Sequence, residues 1–131
     1  MSKKKNKAWI WWTIAIIIAI GIIVYVVKAN QQPGELDEFA QCIDSSGATF
    51  YGAFWCPHCQ NQKKDFGSSA KYLPYIECST PDGKGQKQIC DDAGITGYPT
   101  WEFADGSRLN GEVALQTLAD KTGCSLPINQ L

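Results

Sequence analysis

Two kinds of hydrophobic pattern divide the chain. Residues 8–27, AWIWWTIAIIIAIGIIVYVV, form a run of twenty uncharged residues, and a helix of that length crosses about 30 Å of hydrocarbon. The remainder alternates short apolar runs with polar turns, which is typical of a globular domain. We therefore predict a transmembrane helix over residues 8–28, a short linker at 29–35 and one small domain over 36–131.

The globular part predicts alternating helices and strands. Its first apolar residues recur at the i, i+3, i+4 and i+7 positions of a helix over 35–46 that ends at Gly47; they are Leu36, Phe39, Ala40 and Ile43. ATFYGAFW, LPYIECS, YPTWEF and SRLNG are predicted strands, and the last two form a hairpin. Helices are predicted in PHCQNQKKDFGSS, QKQICDDAG and EVALQTLADKTG. The order α-β-α-β-α-β-β-α favours a layered α/β sandwich.

Charge predicts the orientation of the transmembrane helix. Residues 1–28 contain five lysines and no acidic residue, whereas the rest of the chain has thirteen acidic residues and seven basic ones. The positive-inside rule places residues 1–7 in the cytoplasm and the domain on the extracytoplasmic, periplasmic side of the cell (inner) membrane. An acidic domain of this kind offers no basic surface for nucleic acid. A cleaved signal peptide is the alternative, although its apolar region would be only about 7 to 15 residues long, and it exports the domain as well.

Two cysteines stand where a predicted strand meets a predicted helix, in the segment Cys56-Pro57-His58-Cys59. A helix N-terminus stabilises an anion, so Cys56 is expected to react as a thiolate. Cys59 lies one helical turn further on and can close a disulfide with Cys56. His58 can donate a hydrogen bond to that thiolate or place positive charge beside it, which would stabilise the reduced form and make the disulfide more oxidising.

These residues resemble a known family. WCPHC is similar to the active site of thioredoxin-fold oxidoreductases, and Pro-His is the dipeptide of DsbA-like oxidases. GITGYPT resembles the segment that carries the family's cis-proline, which implies that role for Pro99 and a place in the client groove for Trp55, Tyr98 and Thr100. Tyr51 and Trp101 could also line that groove, but core packing is the interpretation we favour for both.

A narrower resemblance covers about residues 36–124. FYGAFWCPHCQNQKK, AKYLPYIECS, PDGKGQKQIC and GITGYPTWEFADGSR are similar to the thioredoxin-like domain fused to bacterial and plant homologues of vitamin K epoxide reductase (VKOR). This implies a thioredoxin-like three-layer α/β/α sandwich that lacks the first strand. The chain departs from the fusion in having one predicted span in place of the four-helix quinone reductase. It also has Phe50 where thioredoxins have a buried acid, so a proton relay to Cys59 through that acid is not expected.

Four further cysteines allow three pairings; they are Cys42, Cys78, Cys90 and Cys124. Outside the cytoplasm they should be oxidised. We favour Cys78 with Cys90, which would staple the loop between a strand and a helix, and Cys42 with Cys124, which would tie the first helix of the domain to the chain end. Buried free thiols are the alternative for each of them.

An alternative role for four of the cysteines is to bind one zinc ion; they are Cys56, Cys59, Cys78 and Cys90. The second pair lacks the spacing of two to four residues that zinc ribbons show, so we predict no metal and no cofactor. The predicted function is a membrane-anchored disulfide donor to exported proteins, reoxidised by a separate quinone-linked membrane partner of the VKOR or DsbB type. The alternatives are an anchored reductase or isomerase, for example in cytochrome c maturation, and a non-catalytic thioredoxin-fold binding module.

Overall fold

The computed structural model describes residues 7–29 and 33–128, which form two separate units divided after Gln32. In the first unit, helix α1 (Lys7–Ala29) contains a stretch of 21 residues with mean hydropathy 2.7 and is long and apolar enough to cross a membrane. Its large apolar side chains are exposed along its length, as lipid contact requires. The predicted cytoplasmic residues 1–6, linker residues 30–32 and the last three residues of the predicted domain lie outside the described residues.

The second unit begins at Pro33, and its described residues, 33–128, contain nine elements. They are α2 (Asp37–Ser45), β1 (Thr49–Gly52), α3 (Pro57–Asp65), a 3₁₀ helix (Gly67–Tyr72), β2 (Tyr75–Glu77), α4 (Gln88–Asp92), β3 (Thr100–Glu102), β4 (Arg108–Asn110) and α5 (Leu115–Thr122). This order confirms the predicted one. The helix predicted to continue to residue 69 ends earlier because Gly67 takes a φ of +53°, outside the right-handed helical region.

The four strands form one sheet in the order β2-β1-β3-β4. β1 and β2 are parallel and are connected through α3, whereas β3 is antiparallel to both β1 and β4. Phe50 in the centre of β1 pairs with Tyr75 on one side and with Trp101 on the other. α3 therefore starts at the carboxyl end of a central strand, which is where side chains of neighbouring loops meet.

Successive side chains of β1 serve opposite faces of the sheet. Phe50 stacks on Trp101 with ring centroids 4.6 Å apart and joins a cluster with apolar residues of α2, α3 and α5. Tyr51 joins a smaller cluster with Cys78, Cys90 and Ile95 beside α4. Helices thus cover both faces, which confirms the α/β/α sandwich and the core positions expected for Tyr51 and Trp101.

Candidate active site

Cys56 is the N-cap residue of α3. Its backbone is extended (φ −76°, ψ 118°), and Pro57 occupies the first turn, where a missing N–H costs no hydrogen bond. The Cys59 backbone N–H donates to Cys56 Sγ over 3.5 Å. The strand, the cap and the proline thus fix the sulfur of Cys56 at the end of the helix where unpaired N–H groups favour negative charge.

The two thiols have different surroundings. Both are free, but Cys56 is 5% exposed and Cys59 only 1% exposed. Burial raises the pKa of Cys59 to about 12, and the neighbouring Cys56 adds to the rise. Cys59 is therefore a neutral thiol at physiological pH, whereas Cys56 faces the rim of the site.

The peptide bond between Tyr98 and Pro99 is cis, and the loop that contains it faces the thiols. The Cys56 thiol donates to the Tyr98 carbonyl oxygen over 3.7 Å. Thr100 is buried, and its hydroxyl donates to Gly97 O and is 2.8 Å from Asn110 Oδ1. Its side chain therefore holds the loop against β4, and its burial gives no support to the direct client contact expected from the sequence.

Aromatic side chains form the rim above Cys56. Trp55 is 49% exposed and Phe54 is 51% exposed. The Trp55 indole N–H donates to Ser79 Oγ over 2.8 Å, and its ring meets Tyr98 edge to face with centroids 6.0 Å apart. Tyr98 in turn donates its hydroxyl hydrogen to Gln86 Oε1. The rim thus presents apolar surface to solvent, while the indole nitrogen of Trp55 and the hydroxyl of Tyr98 are hydrogen-bonded within the domain.

His58 contacts a residue that the sequence did not indicate. Its Nδ1 lies 2.6 Å from Glu112 Oε1, and Asn61 donates to the same oxygen over 3.2 Å. The hydrogen bond from His58 is the largest cause of a lowered pKa for Glu112. The stabilisation of the Cys56 thiolate by His58 stays a prediction. The carboxylate of Glu112 adds a negative charge next to His58 that this prediction did not include.

Gln62 explains why Glu112 is held there. This side chain is fully buried, and its amide accepts from Val113 N over 2.7 Å while donating to Val113 O over 3.0 Å. The Trp101 indole N–H also donates to Gln62 Oε1, over 3.3 Å. Gln62 lies one turn after Cys59 on the same face of α3, and this spacing is the signal by which the sequence could have revealed it.

Lys63 and Lys64 are neighbours in α3 but have different surroundings. Lys64 is exposed, but Lys63 is half-buried, with its Nζ 3.2 Å from the centroid of the Tyr75 ring. The Tyr75 hydroxyl donates to Glu77 Oε2 over 2.7 Å. Because residues four apart share a face of a helix, the spacing of Lys63 from Cys59 could have indicated this position.

The other four cysteines form two disulfides, Cys42–Cys124 and Cys78–Cys90, which is the pairing favoured from the sequence. Because Cys78 and Cys90 are bonded to each other, they are not available to a zinc ion shared with Cys56 and Cys59. Among residues 7–29 and 33–128 there is no group of three or more His, Cys, Asp and Glu side chains arranged to hold a metal ion.

No protein-family model matches the chain. The chain is 51% identical over 92 residues to the thiol-disulfide oxidoreductase LTO1 of Arabidopsis thaliana, a match that covers 66% of this chain and 24% of the relative. The domain has a thioredoxin-type fold.

Two other relatives match a smaller share of the chain. A thioredoxin domain-containing protein 5 homolog of Drosophila melanogaster is 32% identical over 93 residues, 62% of this chain and 21% of that protein. Protein disulfide-isomerase A2 of Pongo abelii is 34% identical over 68 residues, 48% of this chain and 13% of that protein. The chain thus spans about a quarter or less of the length of these relatives, and the similarity concerns the thioredoxin-type domain.

Proposed function

We propose that this protein is a membrane-anchored thiol-disulfide oxidoreductase that passes the Cys56–Cys59 disulfide to exported proteins. One observation carries the proposal: a free thiol at the start of α3 has a second free thiol one turn behind it and faces the cis peptide bond of Pro99. The relatives named thiol-disulfide oxidoreductase and protein disulfide-isomerase support this chemistry. Helix α1 supports the membrane anchor.

The proposed transfer uses the difference between the two sulfurs. A client thiolate attacks Sγ of Cys56 in the oxidised protein, the Cys56–Cys59 bond breaks, and Cys59 leaves and takes up a proton. A second client thiolate then attacks the client sulfur of the mixed disulfide. The client disulfide forms, Cys56 leaves as a thiolate, and two electrons have passed from the client to the protein. The position of Cys56 at the start of α3, beside the aromatic rim, and the deeper burial of Cys59 suit these roles.

The direction of transfer is part of the proposal. Two disulfides in a domain of this size suit an oxidising compartment, and this supports a domain on the extracytoplasmic side. Each round leaves Cys56 and Cys59 reduced, so a second protein must accept two electrons. We propose a quinone-linked membrane oxidase of the VKOR or DsbB type for this step.

Trapping of mixed disulfides tests the proposal. In the Cys59→Ala variant the Cys56 thiolate can still attack the disulfide of the membrane oxidase or of an oxidised client, but Cys59 is not there to resolve the mixed disulfide, so these species should accumulate in cells. The Cys56→Ser,Cys59→Ala variant is the matched control and should capture neither. If Cys59→Ala captures nothing beyond that control, the donor cycle is wrong. A measured reduction potential near that of thioredoxin, about −270 mV, would instead favour the anchored reductase.

A further inference from the structure

Cys59 must gain or lose a proton in every round of exchange, yet it is the more buried of the two thiols. Phe50, on the central strand beneath it, cannot carry a proton. Cys59 interacts electrostatically with Cys56, Lys63, Tyr75 and Tyr98, and Glu77 interacts with the last three of these. Asp91 interacts with Tyr98 alone among them. Cys56 is the reacting partner itself, and the hydroxyl of Tyr98 is bonded to Gln86. Lys63, Tyr75 and Glu77 form one cluster behind Cys59.

Gly52 shows how closely this cluster approaches the thiol. A Cβ at Gly52 would lie 3.0 Å from Cys59 Sγ, 2.7 Å from Tyr75 Cε2 and 3.4 Å from the Tyr75 hydroxyl oxygen. The thiol and the tyrosine ring therefore border the same small space, which only glycine leaves open. The Lys63 Nζ lies 3.2 Å from the centroid of this same ring, and Lys63 follows Cys59 by four residues, about one turn, on α3.

The charges within the cluster oppose one another. Partial burial lowers the pKa of Lys63, and the carboxylate of Glu77 counteracts this effect. Lys63 also favours the thiolate form of Cys59, against the stronger effect of burial. An amine in such a setting gives up its proton more readily than an exposed lysine does, while its place on the Tyr75 ring keeps it near the thiol.

We propose that Lys63 exchanges a proton with Cys59 Sγ during disulfide exchange, and that Tyr75 and Glu77 are positioning residues for its amino group. This inference rests on the proposed function. When the disulfide is passed on, Cys59 leaves as a thiolate and takes a proton from the Lys63 ammonium. In the reverse step the Lys63 amine accepts the proton of the Cys59 thiol, Cys59 Sγ bonds to Cys56 Sγ, and the sulfur of the client leaves as a thiolate.

The reverse step can be timed with Ellman's reagent. The full chain in detergent, with Cys56 and Cys59 reduced, should release thionitrobenzoate in two phases. In the first, Cys56 attacks the reagent; in the second, Cys59 attacks the mixed disulfide at a rate independent of reagent concentration. The Cys56→Ser,Cys59→Ser variant reports any background from the two other disulfides.

Lys63→Met should slow the second phase on the order of 10²-fold near pH 7, as expected for loss of a general base, and leave the first phase unchanged. Its second phase should then recover as the pH rises, because hydroxide replaces the amine. Lys64→Met, which removes the neighbouring exposed lysine, is the matched control and should behave like the wild type. Lys63→Gln is the second variant if Lys63→Met does not fold.

Two further variants separate proton transfer from charge alone. Lys63→Arg keeps the positive charge but does not release a proton in this pH range, so its second phase should stay far slower than that of the wild type. Glu77→Gln should move the rise of the second phase to lower pH, since Glu77 holds the pKa of Lys63 up. A wild-type rate in Lys63→Arg or in Lys63→Met would overturn the inference alone. A wild-type protein with no second phase would overturn the proposed function as well.

Discussion

The bridged cysteines and the free pair are the same residue type in two kinds of surroundings. Cys42 and Cys90 lie within α2 and α4, and their disulfides join each helix to a distant part of the chain. Cys56 instead precedes α3 and faces an aromatic rim and the cis-proline loop. The comparison teaches that position relative to a helix start, rather than exposure, separates the cysteine that reacts from those that hold the fold together, since Cys42 is exposed whereas Cys56 is only 5% exposed.

The largest expected effect is the difference in thiol reactivity between Cys56 and Cys59. With a pKa of about 12, Cys59 is thiolate to roughly one part in 10⁵ at pH 7, and only the thiolate reacts. Limiting iodoacetamide should therefore alkylate Cys56 almost exclusively, which peptide mapping by mass spectrometry can measure. Labelling of Cys59 in a Cys56→Ser variant should be very slow at neutral pH and rise steeply toward pH 12. Equal labelling of both cysteines at pH 7 would break the distinction between them.

The bridged pairs should affect stability rather than exchange. The Cys42–Cys124 bond closes a loop of sequence separation 82, and the Cys78–Cys90 bond one of separation 12. Chain entropy then predicts that replacing both cysteines by alanine lowers the free energy of unfolding by about 4.5 kcal/mol in the first case and about 3 kcal/mol in the second. Denaturant unfolding measures both values.

The exchange rate provides the control for these two variants. Each should retain the two-phase reaction of Cys56 and Cys59 under conditions in which it is folded. If a folded variant without the Cys78–Cys90 bond lost that reaction, the bond would belong to the reactive machinery and the comparison would need revision. Ser79, which follows Cys78 and supports Trp55, is the contact through which this could occur.

The sequence could predict those features that local pattern determines. The order of elements, the cap at Cys56 and the pairing of the four other cysteines followed from periodicity, Pro57 and chain position. Helical spacing from Cys59 indicates which face of α3 Gln62 and Lys63 occupy, but the contact of Glu112 could not be predicted in the same way, because it depends on which loop folds onto α3. Glu112 is 54 residues from His58 in the chain, and no local pattern connects them.

The smallest expected effect concerns that distant contact. Glu112→Gln replaces the carboxylate beside His58 Nδ1 with a neutral amide, so the His58 ring loses its acidic partner at an exposed position. Exposed pairs contribute little, and we expect the equilibrium with glutathione to shift about twofold toward a less oxidising Cys56–Cys59 disulfide. Because the pKa of Glu112 is lowered, the contact persists above its ordinary value of 4.5 and is lost as the pH falls through the lowered one.

Glutathione titrations of the wild type and of Glu112→Gln measure this shift, with Glu38→Gln as a control at an exposed position of α2. The two proteins should differ at pH 7 and converge at acid pH, where both lack the negative charge at residue 112. In a His58→Ala background the pair with Glu112 cannot form, so Glu112→Gln should have no further effect there. An equal shift in both backgrounds would show that Glu112 acts on Cys56 without His58. The electrostatic effect on Cys56 would then come from the loop after β4 and not from the dipeptide between the cysteines.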